Sequence, residues 1–486
     1  MIFTGKIIIR KIIFVFLILV LSFPVFSQQK NFEKWAPSPP MGWNSYDAYY
    51  GCITESQFKN EVNVLAKKLL PYGYQYAIVD YCWFNPGPKG WDSDNWITFD
   101  VGKVYNDNNF GGMAIDKYGR LLPALNRFPS TANGKGFKAL ADYVHAKGMK
   151  FGIHVMRGIS REAVEKNMPV YGTNFHAKDI VSYIDSCRWN GSMYGVDATK
   201  PGAAAYYQSL INLYASWGVD FIKVDDILSP IYHKGEIELI RKAIDKCGRK
   251  IVLSLSPGDA LMGYAEHVDN NANMYRMAND VWDRWEDILH MFDMTNDWSS
   301  FIGNGSWPDA DMIPFGKLCL TGYPEARNSP NSEKREHFCF LSYDEQKTFM
   351  TLWCMARSPL MWGGSALYSS DSAFAVLTNR DILHIQQNSF NNHQVYMTNY
   401  GQRAFNKDYR IWIAEDVKGK IKYVALFNLE DVNADVTFNT QWELWKGKFK
   451  ATELWTKVIK DVNNDVLVGE NIPPHGVKVF KLESYK

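Results

Sequence analysis

Two periodicities alternate along most of this chain. Short apolar runs that end on a polar residue give way to longer segments whose apolar side chains recur at i, i+3 and i+4. Residues 74–80 (Tyr-Gln-Tyr-Ala-Ile-Val-Asp) read as a buried strand closing on a carboxylate. Residues 136–148 read as a helix and 149–155 as the next strand. The couplet returns as helix 204–217 with strand 219–225, then as helix 236–246 with strand 250–256. Such alternation implies parallel strands joined by right-handed crossovers. Segments 41–46, 274–280, 307–313 and 359–362 bring the strands to eight. Eight such units predict an α/β fold of the (β/α)8 TIM-barrel kind rather than an open sheet.

Residues 83–129 are long, polar and rich in Gly, Pro, Asp and Asn. They follow the second strand, on the face where TIM barrels keep their chemistry, so the excursion is expected to form substrate-binding wall. From about residue 391 the texture changes. Residues 409–414, 423–427 and 477–482 are short β-runs separated by turn residues, with no helical pattern between them. They predict a C-terminal antiparallel β-sandwich. The expected order is a targeting segment over 1–27, a catalytic barrel over 28–389 and the sandwich over 390–486.

A length of 486 residues is too great for one core, in keeping with more than one domain. The net charge of +1 leaves no electrostatic footprint for nucleic acid and points to a neutral substrate. Aromatic residues make up 15% of the chain. Large cores hold many aromatics, and sugar sites also use them, because sugar C–H faces pack on rings.

Lys6, Arg10 and Lys11 precede an apolar run over 12–23, which is too short to span a bilayer comfortably. Val25-Phe26-Ser27 then offers a cleavage point. A signal peptide is expected, with a mature chain from about Gln28 that is secreted or periplasmic and has no stable membrane anchor; a retained anchor is the alternative. Export permits disulfides. Seven cysteines leave at least one thiol over, and the absence of Cys-x-x-Cys argues against a zinc cluster.

In a TIM barrel, polar residues at strand C-termini carry the chemistry. Four predicted strands end in carboxylates: Asp80, Asp225, Asp280 and Asp311. One alone would serve as a helix cap; four converge on one face. Like charges held together raise at least one pKa, as a general acid requires, and glycoside hydrolysis uses two such carboxyl groups. Lys223 and Asp225 are two apart and share a strand face. A lysine inside a barrel is costly unless paired, so Lys223 should hold a neighbouring carboxylate ionised. Arg276 and Asp280 are expected on one face, with a purely structural salt bridge as the other reading. His154 has no second histidine at metal-ligand spacing and is expected to hydrogen-bond. Asp431-x-Asn433-x-Asp435 and Asp461-x-Asn463-x-Asp465 lack the glycine a calcium loop needs and read as turns.

Several blocks occur in order between residues 38 and 387. They are Pro40-Met-Gly-Trp-Asn-Ser-Tyr46, Val79-Asp-Tyr-Cys-Trp83, Asp116-Lys-Tyr-Gly-Arg-Leu-Leu with Arg127-Phe-Pro129, Trp217-Gly-Val-Asp-Phe-Ile-Lys-Val-Asp225, Tyr275-Arg-Met-Ala-Asn-Asp280 and Trp307-Pro-Asp-Ala-Asp-Met312. Together they resemble glycoside hydrolase family 27, which contains α-galactosidases and α-N-acetylgalactosaminidases. The resemblance implies a retaining, exo-acting α-glycosidase, foremost an α-galactosidase, working by double displacement. Its nucleophile falls on Asp225 and its acid/base on Asp280. Its sugar-binding positions fall on Tyr46, Asp80, Tyr81, His154, Lys223, Ser256, Arg276, Asp311 and Met312, and its first disulfide on Cys52 and Cys82. It implies a saccharide with a terminal α-linked sugar as partner, with no metal or organic cofactor.

This chain departs from the family at four places. Tyr81 stands where a second Asp is usual. The segment 152–158 carries His154 where a Tyr is common. Ile227 replaces a Cys after the nucleophile, and Ser254-Leu-Ser-Pro-Gly258 replaces a Cys-Glu-Trp type of loop. These changes bear on which sugar fits. The same chemistry on α-N-acetylgalactosamine, β-L-arabinopyranose or an isomaltose unit is the alternative, and a non-catalytic carbohydrate-binding protein is the reading of a different class.

Overall fold

Each barrel strand forms where an apolar run serves two cores at once. In Phe221–Asp225, Ile222 and Val224 face the surrounding helices, while Phe221 joins Tyr76, Ile78, Val252, Met274 and Trp307 inside the barrel. A computed structural model describes residues 31–86, 113–187, 191–258, 260–321, 335–395, 408–462 and 464–485. The expected signal at 1–27 and residues 87–112 of the predicted substrate wall lie outside the described residues. No described helix is long and apolar enough to cross a membrane.

The barrel strands are β1 (Met41–Asn44), β2 (Tyr76–Val79), β3 (Lys150–Met156), β4 (Phe221–Asp225), β5 (Val252–Leu255), β6 (Met274–Arg276), β7 (Trp307–Asp309) and β8 (Leu360–Trp362). They form one eight-stranded sheet, β7-β6-β5-β4-β3-β2-β1-β8, and every pairing within it is parallel. A parallel bridge from Ile313 to Trp362 closes the ring, with the Ile313 N–H donating to the Met361 carbonyl at 2.8 Å. Gly152 shows how tightly the wall is packed. A Cβ there would lie 2.7 Å from Ile78 Cγ1 and 3.1 Å from Phe221 Cβ.

Helices follow strands as the periodicity predicts. α1 (Glu55–Lys68) buries Phe58, Val62 and Leu65, and starts on a capping box between Thr54 and Gln57. α2 (Lys138–Ala146), α3 (Ala203–Ser216), α4 (Lys234–Lys246), α5 (Ala265–Asp269), α6 (Trp285–Asp297) and α7 (Tyr343–Met355) continue the ring, the last capped by Ser342 and Glu345. A three-stranded antiparallel sheet (Ile159–Ser160, Val181–Ser186, Met193–Val196) is inserted between β3 and α3.

The C-terminal region is all antiparallel. It comprises β9 (Ser389–Gln394), β10 (Tyr409–Asp416), β11 (Ile421–Asn428), β12 (Ala434–Asn439), β13 (Lys448–Glu453), β14 (Ile459–Asp461), β15 (Val466–Ile472) and β16 (Val477–Tyr485). A six-stranded sheet, β9-β10-β11-β16-β13-β14, packs on the pair β12-β15. The period-2 alternation of β11 again serves two cores. Val424 and Leu426 face the sandwich interior, while Tyr423, Ala425 and Phe427 join the barrel core, where Phe427 meets Phe292 edge-on.

Of the four carboxylates read as strand ends, only Asp225 is one. β2 stops at Val79, one residue before Asp80, while β6 stops at Arg276 and β7 at Asp309, so Asp280 and Asp311 stand in the loops beyond. Asp311 has φ 86°, a left-handed conformation that cannot extend a strand.

Candidate active site

The C-terminal ends of β2, β3 and β4 bring four charged or polar side chains together. Lys223 Nζ lies 3.2 Å from Asp80 Oδ2. Asp80 also accepts from Asn44 Nδ2 at 2.6 Å and from the Tyr81 N–H at 2.8 Å. Burial alone would push the Asp80 carboxyl up. Lys223, His154 and the two donors reverse that, and it falls to about 2. Lys223 is likewise held charged, well above its ordinary value, by Asp80, Asp225 and Asp311 against the cost of burial.

Asp225, the last residue of β4, has donors on both oxygens. His154 Nε2 lies 2.9 Å from Oδ2; the Asp226 N–H donates to Oδ1 at 2.9 Å and Ser256 Oγ at 3.3 Å. Burial opposes its charge, but His154 and Lys223 outweigh burial, and the carboxyl lies below its usual value. Asp225 is therefore a carboxylate, as a nucleophile must be.

A second cluster sits above β6 and β7. Arg276 bonds to Asp311 at 2.7 Å and to Asp280 at 3.2 Å. The Asp280 side chain is 61% exposed, whereas that of Asp225 is 13% exposed. Asp311 is buried beside Asp280 and Asp309, and one guanidinium offsets only part of the three charges. Burial and those neighbours raise the Asp311 carboxyl to about 7. An unfolded aspartate titrates near ~4. The folded state therefore binds the extra proton between ~4 and about 7, and the stability that Asp311 contributes is lost as pH rises through that window. Asp311→Asn is expected to flatten this decline. Melting temperatures of both proteins from pH 4 to 7 check it, and parallel curves would contradict the assignment.

A cavity of about 430 Å³ opens over the first cluster, lined by Tyr46, Asp80, Tyr81, Lys223, Asp225 and Asp280 among the expected residues. His154 and Ser256 stand behind it against Asp225, and Arg276, itself paired with Asp311, holds Asp280. Met312, expected at the sugar, instead packs in the barrel interior with Tyr76, Ile78 and Phe221, against a gap of about 20 Å³ below the mouth. Pro257, from the Ser254–Gly258 loop expected to bear on the sugar, completes the wall with Asn279, Trp282 and Arg284, which were not among the expected site residues. Trp282, two residues past Asp280, was the one legible from sequence, since an indole beside a sugar carboxylate pair suits the C–H faces of a pyranose.

The family model for α-galactosidase A matches residues 191–388, and that for the α-galactosidase C-terminal β-sandwich domain matches 406–482. A GH27 β-L-arabinopyranosidase from Geobacillus stearothermophilus is 41% identical, with a TM-score of 0.83 over 94% of this chain and 98% of that one. The chain belongs to glycoside hydrolase family 27. α-Galactosidase 2 from Arabidopsis thaliana is 24% identical over 83% of this chain and 78% of its own length. The α-N-acetylgalactosaminidase of Gallus gallus is 25% identical over 72% and 71%.

Two features of this family 27 enzyme correct or extend the sequence reading. The expected Cys52–Cys82 disulfide is not formed, and no disulfide joins any of the seven cysteines. Burial raises the Cys82 thiol to about 12, and it shares a hydrogen bond with the Tyr81 hydroxyl; Cys52 lies close enough to act on it electrostatically. Behind Asp225, Arg157 forms a buried hub that sequence reasoning missed. Its guanidinium bonds to Asp185 at 2.9 Å, Asp226 at 3.0 Å and Glu236 at 3.0 Å. Asp185, His233 and Glu236 each place an atom within 4.8 Å of the others, close enough for a metal. The guanidinium already bonds two of the three and supplies the positive charge.

Proposed function

We propose that this glycoside hydrolase removes a terminal sugar with retention, and that β-L-arabinopyranosides are its preferred substrates. Asp225 attacks the anomeric carbon, forming a C1–O ester while the C1–O bond to the leaving group breaks and Asp280 protonates the departing oxygen. Asp280 then takes a proton from water, the water oxygen bonds to C1, and Asp225 leaves as a carboxylate. Lys223 and Asp80 fix the sugar hydroxyls. Asp280's exposure suits the residue that exchanges protons with water twice per turnover.

Tyr81 on the cavity wall carries the choice of sugar. β-L-arabinopyranose has the ring configuration of α-D-galactopyranose and lacks only the CH₂OH on C5. Tyr81 presents a phenol where a carboxylate would grip that group. Burial raises the phenol well above its ordinary value, so it stays neutral. The 41% identical relative being a β-L-arabinopyranosidase supports this reading. The match to the α-galactosidase family models favours α-D-galactosides as the second reading.

Nitrophenyl β-L-arabinopyranoside, α-D-galactoside and α-N-acetylgalactosaminide, tested side by side, decide between them. Wild type is expected to show the highest kcat/KM on the arabinopyranoside. Tyr81→Asp is expected to shift the ratio toward galactoside by about ten- to a hundredfold, the worth of one charge-assisted hydrogen bond. An unchanged ratio would place specificity in the Ser254–Gly258 loop instead.

Residues 1–27 are proposed to direct export; N-terminal sequencing of protein recovered outside the cytoplasm is expected to start near Gln28, and an intact N-terminus there would overturn the assignment.

A further inference from the structure

We propose that His154 is a positioning residue for the nucleophile: its Nε2–H holds Asp225 Oδ2 and so fixes the orientation of the attacking carboxylate. The inference rests on the reading of Asp225 as nucleophile. It departs from the role the family resemblance implied for His154, which was contact with the sugar.

The geometry separates the two roles. The His154 side chain is fully buried and does not line the 430 Å³ cavity. β3 and β4 pair with His154 directly beside Lys223, so the ring reaches across to the end of β4, two residues on. Its Nε2 lies 2.9 Å from Asp225 Oδ2, while its Nδ1 is buried with no hydrogen-bond partner. A proton on Nδ1 would be an unsatisfied buried donor, so the Nε2–H tautomer fits this site. Ring and backbone are each held: Tyr81 packs on the imidazole edge-to-face at 5.5 Å, and Trp83 Nε1 donates to the His154 backbone carbonyl at 2.6 Å. A donor held this rigidly defines where Oδ2 sits, and the Asp226 N–H with Ser256 Oγ defines Oδ1.

Such a donor acts on both chemical steps. It favours the ionised carboxylate in the free enzyme, and it stabilises the charge that returns to Asp225 when water releases the sugar. The other charged groups facing Asp225 are Lys223, Asp80 and Asp226. None of them is displaced by a change at residue 154 that keeps a ring.

His154→Phe keeps the ring and removes the donor. The expected result is a kcat lower by about ten- to a hundredfold, a KM that does not rise, and an acid limb of the pH–kcat/KM profile displaced to higher pH. The sign follows from the lost donor, since without it Asp225 ionises less readily. His154→Gln places an amide N–H where Nε2 was, and is expected to recover most of kcat and return the acid limb. A raised KM with unchanged kcat and acid limb would overturn the proposal in favour of sugar contact. Failure of His154→Gln to recover kcat in a folded protein would overturn it in favour of a packing role. Labelling wild type with a 2-deoxy-2-fluoro glycosyl fluoride tests the premise separately. A label on Asp225 upholds the nucleophile whatever the His154 variants do, and a label elsewhere removes the premise itself.

Discussion

Asp225→Ala and Asp280→Ala are each expected to lower kcat by roughly 10³–10⁵-fold while the protein stays folded. Neither carboxylate holds the fold. Asp280 is mostly exposed, and Lys223 keeps Asp80 as a partner when Asp225 is removed. The two losses should differ in kind. Without Asp280, a nitrophenolate still leaves unaided, so kcat/KM falls little on nitrophenyl glycosides and much on sugars whose leaving group needs a proton, while kcat falls on both because Asp280 also activates the water. Without Asp225, the deficit is similar for both. In Asp225→Gly, azide can enter the space vacated beside Lys223 and attack C1 itself, which yields a glycosyl azide of inverted configuration. Turnover on the two substrate types, with NMR of the azide product, measures all of this. Near wild-type activity in either alanine variant would remove that residue from its role.

The barrel was legible because its strands carry two signals at once. Apolar runs such as Phe221-Ile-Lys-Val-Asp225 have to satisfy an inner and an outer core, and the helices between them keep a 3.6 period. The polar residues at the strand ends were legible for the same reason. Lys223 interrupts an apolar strand, and only a buried partner compensates that cost. What the sequence concealed was depth and direction. Strand periodicity places His154 on the inner face, yet whether its ring meets sugar or nucleophile depends on its height in the barrel. Met312 shows the same loss of information: it follows Asp311 directly, yet it lines the small gap with Ile78 and Phe221 and not the larger cavity. The Arg157 hub was invisible for another reason. Its partners Asp185, Asp226 and Glu236 come from three separate segments, and no local spacing joins them.

That hub is where a single substitution should cost the most stability. Arg157→Met is expected to destabilise the enzyme by about 3–5 kcal/mol, because it strands three buried or half-buried carboxylates that the guanidinium now serves. The location magnifies the effect. Arg157 also bonds to the Asp226 backbone carbonyl, next to Asp225, and Asp226 sits in a left-handed conformation with φ 59°. Its carboxyl is already raised to about 6 by burial, so even with Arg157 in place it is only partly compensated. Gly158, the next residue, passes so close to the inserted sheet that a Cβ would lie 2.0 Å from the Tyr194 carbonyl oxygen. Asp185 is half-buried and keeps His233 at 3.3 Å, but Asp226 and Glu236 are buried and lose the guanidinium when the arginine is gone. The cost should therefore come from uncompensated charge rather than from lost volume, since methionine fills much of the same space. Adding Asp226→Asn and Glu236→Gln to Arg157→Met removes two of the stranded charges and is expected to recover a substantial part of the loss. Denaturant midpoints of the single and triple variants measure both effects. A single variant as stable as wild type would remove the hub's role in stability, and a triple variant no better than the single would show that the arginine supports β4 by packing and not by charge.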